Sequence, residues 1–323
     1  MKISSVIPVV CGVTAMAFVP TTTVNAQTLW SQNFETDTTA NWNVNTLGLG
    51  SDANFFFDYS SVGIPQAPNS GVSDGTYGLR LRANQFGFGT ATFPAGVSVS
   101  PIGQSFTGDY ILRFDMWLNF IGPAPGGGAG STQITGAGIG TAGTSSQIAG
   151  GTVDSIFFGG SGEGGVATDY RAYAPAAQSG YTAASGVFAA GSQNNTAAYY
   201  SQFGGETAPA GQVALYPGQT GATAAGTLGW AWRDVEIANV NGAVTWKVDG
   251  LLIATVDTSA AGTLGGANIL FNQFDINGST TDLTGNDVLF GLFDNIVVTA
   301  VPEPSSLALA GLGALALFAR RRK

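Results

Sequence analysis

Between Tyr110 and Phe120 every second residue is apolar: Tyr110, Leu112, Phe114, Met116, Leu118 and Phe120. The alternate positions carry Ile111, Arg113, Asp115, Trp117 and Asn119. Successive side chains of a strand leave on opposite faces, so this register buries one set in a core and leaves the other outside. The run Tyr77 to Ala83 repeats the pattern, with Tyr77, Leu79, Leu81 and Ala83 on one face and Arg80 and Arg82 on the other. Further strands are expected at Gln27 to Phe34, Asn54 to Tyr59, Trp230 to Ala238 and Val288 to Thr299, the last interrupted by Asp294-Asn295. Val244 to Val248 and Leu251 to Val256 flank Asp249-Gly250, a pair that tolerates positive φ and predicts a tight hairpin.

The composition supports an all-β class. Charged residues make up 10% of the 323, hydrophobic residues 44%, and there are 48 Gly and 20 Phe. That is enough apolar mass for a sizeable core, with glycine to turn the chain between strands. From about 122 to 229 the sequence shifts to Gly, Ala, Ser and Thr. This stretch reads as long loops and short strands inserted in one sandwich, with strand pieces at Ile156–Phe158 and Val213–Tyr216. A second small domain there is the alternative.

The two ends differ from the body. Lys2 precedes an uncharged apolar stretch that runs to Val19, and Val24-Asn25-Ala26 places small residues where signal peptidase needs them. Residues 1–26 therefore read as a signal helix cleaved after Ala26, which would remove Cys11, the single cysteine. At the other end Pro302-Glu303-Pro304 leads into an uncharged segment, 305–319, and then Arg320, Arg321, Arg322 and Lys323. A 15-residue helix spans about 22 Å, short of a hydrocarbon core of about 30 Å. The basic cluster would stay on the cytoplasmic side, so the segment reads as a transient membrane anchor that leaves the body outside. An ordinary tail anchor lacks the Pro-Glu-Pro sequence.

The Pro302-Glu303-Pro304 motif, apolar helix and basic cluster together resemble the PEP-CTERM sorting signal of Gram-negative bacteria. The resemblance covers residues 301–323. It implies recognition by an exosortase and placement at the cell surface or in the extracellular polysaccharide matrix. The body, 27–300, resembles the concanavalin A-like (laminin-G-like) jelly rolls in four pieces: Asn33-Phe34-Glu35, Phe114-Asp115-Met116-Trp117, Thr245 to Gly250, and Phe293 to Val297. That resemblance implies a two-sheet antiparallel sandwich, often with sugar on one sheet. It also implies a structural calcium ion held between a carboxylate near the first strand and one in the last, here Glu35 and Asp294. No other cofactor is expected.

Charge and residue types exclude several functions. Five of the 11 basic residues and one of the 20 acids lie in the end segments, which leaves the body six bases against 19 acids. A body so acidic repels nucleic acid and anionic membranes. There is no histidine, hence no Ser-His-Asp triad, and the body has neither thiol nor disulfide. The glycine run Gly126-Gly127-Gly128 lacks the Lys-Ser/Thr of a phosphate loop. Asp234 and Glu236 share a strand face at spacing i, i+2, roughly 7 Å apart, the one pair placed for glycan hydrolysis or lysis. A solvated strand face explains the same pair.

Sugar binding needs aromatic faces and planar polar groups. Arg113, Asp115, Trp117 and Asn119, with Arg80 and Arg82 and with Trp230 and Trp232, are the candidate residues. Core packing of the tryptophans is the competing reading. The expected function is a non-catalytic surface or matrix protein that adheres or contacts polysaccharide; a purely structural matrix role and a glycan-cleaving enzyme are the alternatives.

Overall fold

The computed structural model describes residues 26–89, 92–125, 132–278 and 283–302. The expected signal helix, and the sorting-tail residues from Glu303 through Arg320, Arg321, Arg322 and Lys323, lie outside them. Among the described residues no helix is long and apolar enough to cross a membrane.

Among the described residues fourteen strands follow one another: β1 (Thr28–Gln32), β2 (Trp42–Leu47), β3 (Asp52–Asp58), β4 (Tyr77–Arg82), β5 (Ala95–Pro101), β6 (Tyr110–Asn119), β7 (Gln133–Thr141), β8 (Ile156–Ser161), β9 (Tyr170–Tyr173), β10 (Trp232–Val240), β11 (Ala243–Val248), β12 (Leu251–Asp257), β13 (Asn268–Asp275) and β14 (Phe290–Ala300). One sheet runs β12-β11-β10-β6-β14-β4-β3, with β1 added beside β14, and the other runs β2-β5-β13-β7-β8-β9. All pairings between strands are antiparallel. The chain crosses repeatedly between the sheets, and its first and last strands pair: an all-β jelly-roll sandwich.

The alternating residues of β4 and β6 set the main core. Leu79, Leu81, Leu112, Phe114 and Met116 face inward between the sheets. There Phe114, Phe271 and Phe293 meet with ring centroids 5.0–5.8 Å apart, mostly edge to face. Asp249 and Gly250 take positive φ and turn β11 into β12, with Val248 opposite Leu251.

The 122–229 stretch supplies strands to the sandwich as well as long loops. Its β7, β8 and β9 are three adjacent strands of the six-stranded sheet. They show no alternation in the sequence because β7 reads Gln-Ile-Thr-Gly-Ala-Gly-Ile-Gly-Thr and is buried on both faces. Its glycines answer to close approach: a Cβ on Gly136 would stand 2.1 Å from the Phe158 carbonyl oxygen. The Val213–Tyr216 piece, expected as a strand, belongs instead to a six-residue helix, α1 (Ala210–Leu215). Val213 and Tyr216 pack inward from it.

Both sheets are also covered on their outer faces. Over the eight-stranded sheet, residues from 59–67 and 208–216 enclose a second apolar cluster with Trp117, Phe120, Trp230 and Phe290. The two covering segments touch backbone to backbone. Gly63 has φ 75°, and a Cβ there would lie 2.1 Å from the Gln212 amide nitrogen. Over the six-stranded sheet, Ile148 and Val153 close a third cluster on Ile134, Phe157, Leu270 and Phe274.

Candidate functional site

Strands β10, β6 and β14 lie side by side, and their register sets Asp234 opposite Asp115 and Asp115 opposite Asp294. Three carboxylates in one row repel one another. The two inner ones are relieved by burial and hydrogen bonds. Asp115 is fully buried. It accepts from the Asn69 amide (3.1 Å), Asn69 Nδ2 (2.7 Å) and Asn295 Nδ2 (2.8 Å). Asp294, 1% exposed, accepts from the Asn295 amide (2.7 Å) and from Tyr59 Oη (3.1 Å). Burial raises both carboxyls above the ordinary range. For Asp294 burial, with Asp115 and Glu35 adding to it, outweighs the donors and pushes the value up to about 8, so this group holds a proton at neutral pH.

The interruption at Asp294-Asn295 makes this arrangement. Register shifts between Asp294 and Val297, and Asn295 adopts φ 51°. The bulge brings the Asn295 side-chain amide onto Asp115 and, at 3.1 Å, onto Ser70 Oγ.

One step along the strands, Glu236 lies opposite Arg113 on one side and Lys247 on the other. Arg113 donates to Glu236 Oε2 through Nε at 3.1 Å and also through Nη2. Lys247 Nζ donates to Oε1 at 2.9 Å. Burial alone would raise Glu236, but the bonds from Lys247 and Arg113 prevail and hold it below its ordinary value. Asp234 is raised, by burial first and by Asp249 and Glu236 after it, against a lowering by Arg113. These rows line a groove of about 580 Å³ whose walls include Asn69, Arg113, Asp234, Glu236, Lys247 and Asn295.

Of the sugar-site candidates, Arg113 faces this groove and Asp115 lies beneath it. Trp117, Asn119 and Trp230 do not reach it. They are buried under the covering segments. Trp117 Nε1 donates to Asn119 Oδ1 (3.0 Å), Asn119 Nδ2 donates to the Val288 carbonyl (2.8 Å), and Trp230 stacks on Phe120 with centroids 4.5 Å apart. Trp232 meets Trp117 edge to face at 5.7 Å and donates from Nε1 to the Pro65 carbonyl at 2.8 Å. The tryptophans are thus packing groups here, because the 59–67 and 208–216 segments occupy the space an open platform needs. Arg80 lies 4.1 Å over the Phe57 ring, and burial lowers its value to about 10. Arg82 pairs with Asp52 and donates to the Asn286 carbonyl at 2.6 Å. Both are placed on β4, away from the groove. Reading the sequence misses Asn69, Lys247 and Asn295 as groove residues. Of the three, only Asn295 has a trace in the sequence, the Asp294-Asn295 break in the last strand.

Glu35 and Asp294, the pair expected to hold calcium, lie near enough for Glu35 to add to the raising of Asp294. Asp294 accepts the Asn295 amide on one oxygen and the Tyr59 phenol on the other. Among the described residues no three His, Cys, Asp or Glu side chains group to hold a metal. A melting temperature unchanged by EDTA would rule out calcium at Glu35 and Asp294, and a fall on chelation, reversed by calcium, would establish it.

Residues 300–323 match the family described as "PEP-CTERM protein-sorting motif". No curated relative matches the chain. Among solved structures, a galectin-like protein of unknown function from Bacillus subtilis is 10% identical, at TM-score 0.39, over 85% of this chain and 98% of its own. A structure from a study of endo-acting O-glycanases of the human gut microbiota is 14% identical, at TM-score 0.40, over 85% and 100%. The exoplasmic/lumenal domain of VIP36 with calcium and Man3GlcNAc is 9% identical, at TM-score 0.37, over 82% and 89%. Overlaps this loose say nothing about what the chain binds.

Proposed function

We propose, from the PEP-CTERM protein-sorting motif at residues 300–323, that signal peptidase and an exosortase process this chain and leave its jelly-roll body at the cell surface or in the extracellular matrix. There it contacts polysaccharide through the groove between β6, β10, β11 and β14, without chemistry. The observation that carries this reading is the state of Glu236. Both its oxygens are taken by Arg113 and Lys247, so it is a weak base and a poor nucleophile. What remains facing the groove is the Asp234 carboxylate beside the Asn69 and Asn295 amides. Planar acceptors and donors of this kind suit sugar hydroxyls.

Asp234→Ala tests it. The residue is exposed, so stability should stay within about 0.5 kcal/mol of the parent, while affinity for the bacterium's own exopolysaccharide falls several-fold in a pull-down. Equal retention of variant and parent would remove the groove as the contact.

One observation favours glycan cleavage as a second reading. Asp234 and Glu236 stand two residues apart on one face of β10 and both line the groove, the pairing a two-carboxylate mechanism uses. Release of new reducing ends, lost in Asp234→Ala, would establish it.

A further inference from the structure

The body's few cations give away a second site. Four of its six basic side chains are in ion pairs: Arg82, Arg113, Arg233 and Lys247. A fifth, Arg80, is laid over Phe57. That leaves Arg171 on β9, the edge strand of the other sheet. Among the described residues Arg171 makes no ion pair, although the chain offers 19 body carboxylates. Instead its Nε donates to the Thr168 carbonyl at 3.0 Å and Nη1 approaches Tyr173 Oη at 3.4 Å. These contacts fix the guanidinium without neutralising it, and an oriented guanidinium is a fork for a carboxylate.

Arg171 lines a groove of about 400 Å³, within the about 300–1,000 Å³ typical of small-ligand sites. Gly150 and Gly151 give part of the wall no side chains, and Gln178 and Ser179 stand exposed beside them. Phe93 is 55% exposed. Its ring lies so close over Gly150 that a Cβ there would meet Cζ at 3.1 Å. Tyr173 is held rigid below by stacking on Phe157 at 4.6 Å. An exposed aromatic ring, an amide, a hydroxyl and one cation outside any ion pair, acting on Asp169 only through space, therefore share one depression.

We infer that this groove binds a carboxylate-bearing sugar, a uronic acid residue of an acidic polysaccharide. Phe93 takes the apolar face of the ring, Gln178 and Ser179 take hydroxyls, and Arg171 takes the carboxylate. The neutral groups alone would serve an uncharged sugar. In a body this acidic, a cation held outside any ion pair selects for an anion that would otherwise be repelled. The site is on the opposite sheet from the Asp234 groove and stands or falls separately.

Titration of the mature protein with trigalacturonate, followed by tryptophan and tyrosine fluorescence or calorimetry, tests it. Affinity should exceed that for the uncharged galactose trimer at least tenfold and fall with added salt. Arg171→Gln should abolish that preference, Arg171→Lys should keep part of it, and Phe93→Ala should weaken both ligands. Asp234→Ala should change none of these values. Equal affinity for the acidic and neutral trimers, equal affinity for a sulfated trimer, or an unaltered preference in a folded Arg171→Gln would overturn the assignment. Phe93 is exposed, so an unchanged affinity in Phe93→Ala would do so independently of any folding defect at Arg171.

Discussion

Trp117→Ala is expected to cost about 3–5 kcal/mol of stability, the range for emptying a large aromatic site in a packed interior. Trp117 is 2% exposed and belongs to the cluster that closes the outer face of the eight-stranded sheet. Its ring meets Trp232 edge to face. Its Nε1 satisfies Asn119, which in turn reaches the Val288 carbonyl ahead of β14. Alanine leaves a cavity and strands the Asn119 carbonyl oxygen without its donor, so transfer, cavity and hydrogen-bond losses act together. Urea denaturation followed by fluorescence measures this directly. Had Trp117 been a sugar platform, the same variant would keep its midpoint and lose only binding.

Stability is expected to fall as pH rises from 5 to 9, opposite to the usual behaviour of carboxylates paired with cations. Asp294 is raised from its ordinary range to about 8 in the folded chain. The native state therefore keeps a proton that the unfolded chain has already released. Its contribution is complete below about pH 4, is lost progressively above that, and is gone once the pH passes about 8. A tenfold change in proton affinity corresponds to about 1.4 kcal/mol, so the loss amounts to several kcal/mol. Asp115 and Asp234 are raised too and act in the same sense. Asp58 and Glu236 are lowered, and what they contribute is lost only as the pH drops below about 4, outside this window. Asp294→Asn keeps an acceptor for the Asn295 amide and removes the titration. Its midpoint should vary much less between pH 5 and 9, and should exceed the parent's at pH 9. A parent midpoint that rises with pH over this range would show that Asp294 is ionised in the native state.

What could be read without the structure follows which strands bury one face. β4, β6, β10, β11 and β12 alternate, and the Asp249-Gly250 turn fixes a register, so the eight-stranded sheet is visible in the sequence. The other sheet is not. β7 and β8 are buried on both faces and built largely from Gly, Ile, Phe and small residues, so no alternation marks them and their glycines resemble a loop. The candidate site is half visible. Arg113, Asp115, Asp234 and Glu236 share a strand face by period two. Whether that face is open depends on segments 59–67 and 208–216, whose folding onto it depends on contacts such as Gly63 with Gln212 that have no periodic trace. Period two therefore placed Trp117 with Arg113, and only the packing separates them: the arginine faces solvent and the tryptophan is enclosed. Asn69 and Lys247 come from a loop and a neighbouring strand, joined to the site by the fold alone.

Size-exclusion chromatography with light scattering, on the mature protein mixed with the exopolysaccharide of the bacterium that makes it, tests the proposed polysaccharide contact most directly. Binding without chemistry predicts that protein and polymer elute together and that the polymer keeps its molar mass after prolonged incubation. Separate elution, or a polymer whose mass falls with time, would contradict it.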